Sequence, residues 1–147
     1  MSRNAPAACP KLQGARGRRR AGAQSITATD TTTGVITGYE WDITVNPAAA
    51  AKFILSAPAR VARGGFYVTL TVEDAFGNVV TGYVGTVHFT SSDSTATLPA
   101  DYTFTAGDAG VHTFTSTAIL RKRGMQTITV TDTQNSALTA TDSINVV

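Results

Sequence analysis

Phe66-Tyr67-Val68-Thr69-Leu70-Thr71-Val72 alternates apolar and polar side chains without a break. Phe66, Val68, Leu70 and Val72 fall on one face of an extended chain, and Tyr67, Thr69 and Thr71 on the other. This period of two marks a half-buried antiparallel strand. Arg63-Gly64-Gly65 reads as the turn before it. Glu73-Asp74-Ala75-Phe76-Gly77-Asn78 reads as the turn after it, with Gly77-Asn78 suited to positive φ. Thr86-Val87-His88-Phe89-Thr90 alternates again, with Val87 and Phe89 inward. Ala96-Thr97-Leu98 and Tyr102-Thr103-Phe104-Thr105 flank Pro99-Ala100-Asp101, and residues 106–110 form a tight turn. Residues 111–120 read as a long strand, 121–124 as a basic turn, 125–132 as the next strand and 137–147 as the last. Several short strands with turns about every 8–12 residues indicate an all-β sandwich. The gaps leave no room for the crossover helices of a parallel sheet.

Composition agrees. Of 147 residues, 25 are threonine and 13 glycine, while only 15% are charged. Threonine is stiff at χ1 and favoured on pleated surfaces. A hydrophobic fraction of 42% is enough for a core and too high for a chain held open by charge. The longest purely apolar run, Ala48 to Ala51, is far too short to span a bilayer. Cys9 is the only cysteine, so no intramolecular disulfide is expected and the fold stands on its core alone.

Residues 24–37 read QSITATDTTTGVIT and residues 126–139 read QTITVTDTQNSALT. Seven of the fourteen positions coincide, including the order Gln-x-Ile-Thr-x-Thr-Asp-Thr. After one extra residue in the first copy, Ile43-Thr44-Val45 matches Ile144-Asn145-Val146. A repeat at this spacing implies one domain per period. Residues 24–45 are therefore expected to be the C-terminal strands of an incomplete preceding repeat. Residues 46–51 are expected to be a linker opened by Asn46-Pro47, since proline restricts its neighbour and cannot donate to a ladder. Residues 52–147 are expected to form the complete domain. An isolated strand pair is marginal in water, so 24–45 is expected to share no core with 52–147 and to exchange its amides faster.

The net charge of +2 hides an asymmetry. Residues 1–23 carry Arg3, Lys11, Arg16, Arg18, Arg19 and Arg20 and no acid. Residues 24–147 carry six basic and ten acidic side chains, a net of −4. The first 23 residues have neither apolar periodicity nor the apolar stretch of a secretory signal. They read as a disordered basic tail, with Arg16 to Arg20 a solvated run rather than a phosphate or nuclear-targeting patch and Cys9 a bystander. The mildly acidic remainder excludes nucleic acid as a partner.

The stretch Phe66 to Phe89, FYVTLTVEDAFGNVVTGYVGTVHF, resembles the bacterial immunoglobulin-like repeats of invasin- and intimin-type surface proteins. The shared pattern is an alternating strand, Asp74-x-x-Gly77-Asn78, the apolar Val79, Gly82 in a turn, and Val87-x-Phe89. Asp108-x-Gly110 before a strand and Gly124-x-Gln126-Thr127-Ile128-Thr129 opening the next resemble repeats of large multi-repeat extracellular proteins. Filamin-type repeats share the same strand-turn logic. The departures are Arg121-Lys122-Arg123 and the insertion at Tyr39-Glu40-Trp41-Asp42. The resemblance implies an immunoglobulin-like Greek-key β-sandwich with neighbouring repeats as partners, at the bacterial cell surface or outside the cell.

The residues offer little chemistry. His88 alternates with Val87 and Phe89 and is expected to face solvent. His112 opens a strand on the face of Phe114. Neither has the pocket and orienting partner of a general base, so no catalytic residue is expected and the chain does not read as an enzyme. A calcium ion would need clustered oxygens from Glu73-Asp74, Asp93, Asp101 or Asp108. Asp74 and Asp108 instead read as turn caps through local backbone bonds, and no cofactor or metal site is expected. Thr-x-Thr runs such as Thr27-Ala28-Thr29 lack the short regular repeat of an ice-binding array and read as solvent-face strand residues. The function expected is a non-catalytic spacer repeat of an extracellular adhesin, contributing to cell adhesion. The alternative is a carbohydrate- or peptide-binding module, for which Tyr39, Trp41, Tyr67 and Tyr83 are the candidate exposed aromatics.

Overall fold

A computed structural model describes residues 20–147 apart from 33, 36 and 63. The expectations for the tail up to residue 19, including Cys9 and Arg16 to Arg19, lie outside the described residues, as does that for Arg63.

The chain is all-β. Strands β1 (Gly22–Thr29) and β2 (Thr37–Val45) form a two-stranded antiparallel sheet of their own. The eight strands that follow are β3 (Ala50–Ser56), β4 (Arg60–Val61), β5 (Gly65–Asp74), β6 (Thr86–Ser91), β7 (Tyr102–Thr103), β8 (Val111–Ile119), β9 (Gly124–Asp132) and β10 (Thr139–Val146). They build a three-stranded sheet ordered β3-β5-β8 and a five-stranded sheet ordered β4-β10-β9-β6-β7. The two sheets face each other across one core. All ladders are antiparallel except β4 with β10, where Arg60 and Val61 lie beside Asn145 and Val146 in parallel.

The alternation in the sequence sets which side chains enter the core. In β5, Phe66, Val68, Leu70 and Val72 are buried while Tyr67 is exposed. They meet Val87 and Phe89 from β6, Ile128 and Val130 from β9, and Ile144 and Val146 from β10, all buried. The Phe89 and Phe114 rings join the two sheets edge-to-face at 4.8 Å, the geometry that their quadrupoles favour. On the outer faces, threonine hydroxyls pair across strands: Thr69 with Thr113 at 2.9 Å, Thr86 with Thr103 at 2.8 Å, Thr129 with Thr141 at 2.8 Å and Thr131 with Thr139 at 2.9 Å. Such cross-strand pairs reinforce register and account for much of the threonine content.

Several boundaries differ from expectation: β7 stops at Thr103, β9 begins at Gly124 inside the expected turn, β10 begins at Thr139, and residues 96–98 contribute only a single bridge from Thr97 to Ile119. β1 begins at Gly22, inside the expected 1–23 tail, because Gly22 and Ala23 pair with Val45 and Thr44. β3 begins at Ala50, inside the expected 46–51 linker, because Ala50 reaches Asp74 across the sheet. β5 runs on to Asp74, where Lys52 from β3 pairs with Glu73 at 2.7 Å. The first edge strand is also split. β3 pairs with β5; the chain then crosses at Ala57-Pro58-Ala59, where the Ala57 amide donates to Asp142 Oδ2 at 3.0 Å, and β4 joins the opposite sheet.

Leu70 is fully enclosed and Phe89 nearly so. Leu70→Ala should cost about 2–5 kcal/mol and Phe89→Ala about 3–5 kcal/mol, read from a denaturant titration. Losses below about 1 kcal/mol for both would mean that the other face of these strands is the buried one.

Candidate functional site

The junction between the β1–β2 sheet and the sandwich is built around Asp74, which closes β5. Its carboxylate is buried. Oδ1 accepts the amides of Phe76 at 2.8 Å and Asn78 at 2.9 Å, which folds the following turn back on the strand. Oδ2 accepts the Asn78 side-chain amide at 2.9 Å and the Ala48 amide at 3.0 Å. One side chain thus holds both the turn and the connection leaving β2. Asn78 Oδ1 in turn accepts the Ala21 amide at 2.9 Å, just before β1. Burial alone would disfavour the charge. The donors from Asn78, Ala48 and Phe76 outweigh it and hold the carboxyl well below the usual carboxylate range. Beside this clamp lies a cavity of about 290 Å³ lined by Asn46, Pro47, Val80, Thr81 and Gly82.

Asp93, Asp108 and Asp132 hold turns in the same way. Thr95 donates to Asp93 Oδ1 through its hydroxyl at 2.6 Å and its amide at 2.9 Å. Asp93 Oδ2 accepts the amides of Arg121 at 2.6 Å and Lys122 at 2.9 Å, which ties the segment after β6 to the basic turn between β8 and β9. The Arg121 guanidinium adds bonds to the Thr95 carbonyl and the Thr97 hydroxyl. Asp132 Oδ1 accepts the amides of Gln134 and Asn135, and its Oδ2 accepts the Tyr83 hydroxyl. Burial and the Asp132 contact push the Tyr83 phenol up. Asp108 accepts the Thr105 amide and hydroxyl and the Tyr102 hydroxyl.

The residues considered for calcium therefore serve separate places. Asp74, Asp93 and Asp108 spend their oxygens on protein donors, Glu73 pairs with Lys52, and Asp101 pairs with His88 on the surface. Among the described residues, no three carboxylate, imidazole or thiol side chains converge to hold a metal ion.

His88 is exposed, as its alternation implies. His112 is half-buried, stacks on Tyr102 with centroids 3.9 Å apart, and bonds Asp108 Oδ1 through Nδ1 at 2.7 Å. This His-Asp contact lies within the short 3-10 turn at Ala106–Asp108 and the strand it feeds. It fixes the ring against Phe104 and Phe114.

Of the four candidate aromatics, Tyr39, Trp41 and Tyr67 are exposed, at 64%, 65% and 60%. Tyr39 and Trp41 meet edge-to-face at 5.2 Å on β2. Tyr83 is a correction: it is 8% exposed and packs edge-to-face on Phe53 and Phe104. Its sequence neighbours Gly82 and Gly85 suggest a surface turn. The turn nonetheless aims the ring inward, where Asp132 satisfies the hydroxyl.

Two outcomes follow from these carboxylates. A Cβ at Gly85 would stand 2.2 Å from the Tyr83 hydroxyl and 2.6 Å from Asp132 Oδ2. Gly85→Ala should therefore destabilise by about 1–3 kcal/mol in chemical denaturation; an unchanged midpoint would contradict this close packing. Second, Asp74, Asp93 and Asp108 are depressed in the folded state, so the folded protein binds fewer protons than the unfolded chain. Their stabilisation is complete above the ordinary Asp value of 3.8 and falls as pH drops through and below it. Melting temperatures recorded from pH 6 to about pH 2 should decline over that acid range, and Asp74→Asn should flatten the slope. A pH-independent melt would contradict this assignment.

No protein-family profile matches the chain, and no curated protein does. Among solved structures, the apo form of Bacteroides uniformis β-glucuronidase 3 superposes with a TM-score of 0.54 at 18% identity, over 86% of this chain. The match spans only 17% of that enzyme's length. Superoxide reductase (neelaredoxin) from Ignicoccus hospitalis gives a TM-score of 0.45 at 18% identity, over 67% of this chain and 82% of that one. At such identity the likeness to the glucuronidase is one of fold alone, over a small part of that protein's length.

Proposed function

We propose that the chain is a non-catalytic structural module, an immunoglobulin-like repeat of the invasin and intimin kind, that carries tension in an extracellular bacterial adhesin. The observation behind this reading is the parallel pairing of β4 with β10. The first strand of the five-stranded sheet and the last strand of the chain lie side by side and run the same way. The Asn145 amide donates to Ala59 O, and the Val147 amide to Val61 O, both at 3.0 Å. Force applied at the two ends of the sandwich loads these bonds together, in shear, instead of opening them one by one. The Asp74 clamp on Ala48 supports the same reading, since it fixes the connection through which tension would enter. Two facing sheets, β3-β5-β8 and β4-β10-β9-β6-β7, fit the two-sheet immunoglobulin-like pattern. In this role the module needs no cofactor and no nucleic acid. Its partners are neighbouring repeats and a host or cell-surface protein or glycan.

A second reading, a carbohydrate-binding module, is favoured by the exposed Tyr39 and Trp41 rings. Sugars pack on aromatic faces, and these rings stand edge-to-face at 67°, which leaves one broad face rather than a flat platform.

Single-molecule pulling of the full chain tests the first reading. Unfolding between anchors at residues 50 and 147 should need clearly more force than unfolding between anchors at residues 124 and 147, which unzips β9 from β10. Val61→Pro should lower the first force more than the second. Equal forces in both geometries would overturn the mechanical role. Saturable binding on a glycan array that disappears with Trp41→Ala would replace it with the second reading.

A further inference from the structure

The β1–β2 sheet repeats the register of the β9–β10 ladder in two blocks, on either side of Ser25. Thr29 pairs with Thr37 as Thr131 pairs with Thr139, Ala28 with Gly38 as Val130 with Ala140, and Ile26 with Glu40 as Ile128 with Asp142. Beyond these, Gln24 pairs with Ile43 as Gln126 with Ile144, and Gly22 with Val45 as Gly124 with Val146. The extra residue of the first copy is absorbed as a bulge between these two blocks, where Asp42 takes φ 59°. Even the ends agree. Gly22 and Gly124 both hold positive φ, at 117° and 98°. Asp30 Oδ1 accepts the amide two residues on at 3.0 Å, as Asp132 Oδ1 does at 2.7 Å.

The two ladders differ in what lies over them. Gln126, Ile128, Val130, Ile144 and Val146 point into the sandwich and are buried beneath β3-β5-β8. β9 also pairs with β6 along its outer edge, and β10 with β4. On the first copy, Gln24, Ile26 and Ala28 are exposed and Ile43 and Val45 half-buried, with Ile26 at 61% against 0% for Ile128. Among the described residues, no strand joins either outer edge of β1–β2.

We infer that the face of Gln24, Ile26, Ala28, Ile43 and Val45 is a docking surface for strands equivalent to β3 through β8, supplied by a second sequence of this type. Its occupant is a three-stranded sheet laid across that face, with a β6-like strand pairing along β1 and a β4-like strand along β2. Glu40 stands where Asp142 accepts the Ala57 amide, so the incoming β3-like strand presents a backbone N–H there. Ala28 and Gly38 replace the larger Val130 and Ala140 and leave a shallow cavity of about 210 Å³, so the occupant carries a bulkier side chain over that point. The inference rests on the register match alone, and failure of the pulling test would leave it standing.

The test supplies the missing strands. A copy of residues 50–121 is inserted directly ahead of Arg20 in the full chain, which keeps the spacing to β1 that residues 122 and 123 give to β9. Amide exchange in β1 and β2 should slow by at least about a hundredfold, toward that of β9 and β10. Ile26→Asp in the extended chain should abolish that protection and leave residues 50–147 of the parent unchanged. Ala28→Val should strengthen the protection. Protection that survives Ile26→Asp would put the cover on the Tyr39 and Trp41 face and overturn the proposal. So would protection in the unextended chain that grows with concentration, which would make the occupant another whole copy. If the inserted block does not fold, a graft decides: residues 22–45 replace residues 124–146 in the sandwich. A graft that unfolds cooperatively, and loses this with Ile26→Asp, supports the assignment, whereas one that never folds refutes it.

Discussion

Nothing covalent joins the two sheets of this sandwich, because the chain has a single cysteine. Their cohesion comes from side chains that alternate inward on both, and everything else in the structure follows from keeping those faces matched. Ring contacts join the sheets where Phe89 meets Phe114 and where Tyr102 meets His112 and Phe114. Val68, Leu70, Val72, Val87, Ile128 and Val130 fill the space around them. A slip of one residue in any of these strands would exchange its buried valines for threonines. The turns must therefore fix register, and this explains why buried carboxylates stand at Asp74, Asp93 and Asp132. Each is costly to bury as a charge and each is surrounded by amide and hydroxyl donors that offset the cost. The aspartates act as pins at the ends of a core that has no staple.

Much of this was legible in the sequence, for a physical reason. β5, β6 and β9 alternate with a strict period of two, which only a half-buried strand satisfies, and their burial follows it. The turn-capping roles of Asp74 and Asp108 were readable because aspartate carboxylates favour turns by bonding nearby backbone groups. Other features depend on partners distant in sequence. The split between β3 and β4 is set by Asp142, about 85 residues away from Ala57. The alanine run at 48–51 has no pattern of its own, and its last two residues become strand only because β5 is there to pair with them. Tyr83 looks exposed beside two glycines, and only the position of Asp132 reveals why it is buried. Likewise the long-range halves of the Asp74 and Asp93 clamps, to Ala48 and to Arg121, leave no local signature.

The repeat was also legible, although its meaning sharpened with the structure. Sequence alone matched seven positions in fourteen and located one extra residue. The ladder shows why that insertion is tolerated. It lies between two blocks of unchanged register, as a bulge at Asp42, so the side chains on either side keep their faces. A single inserted residue without a bulge would have turned half of β2 inside out.

The pairing of β4 with β10 has a consequence for the order in which the molecule is made. Residue 60 finds its strand partner at residue 145. Ladders that join such distant positions must close a large loop before they return any stabilisation, which makes folding slow and late. A chain emerging amino end first, from a ribosome or through a narrow pore, has β3 to β8 outside long before β10 arrives. Until then β4 has no neighbour and the core of Ile144 and Val146 is missing. The sandwich therefore cannot close until its eight-residue strand β10 is present.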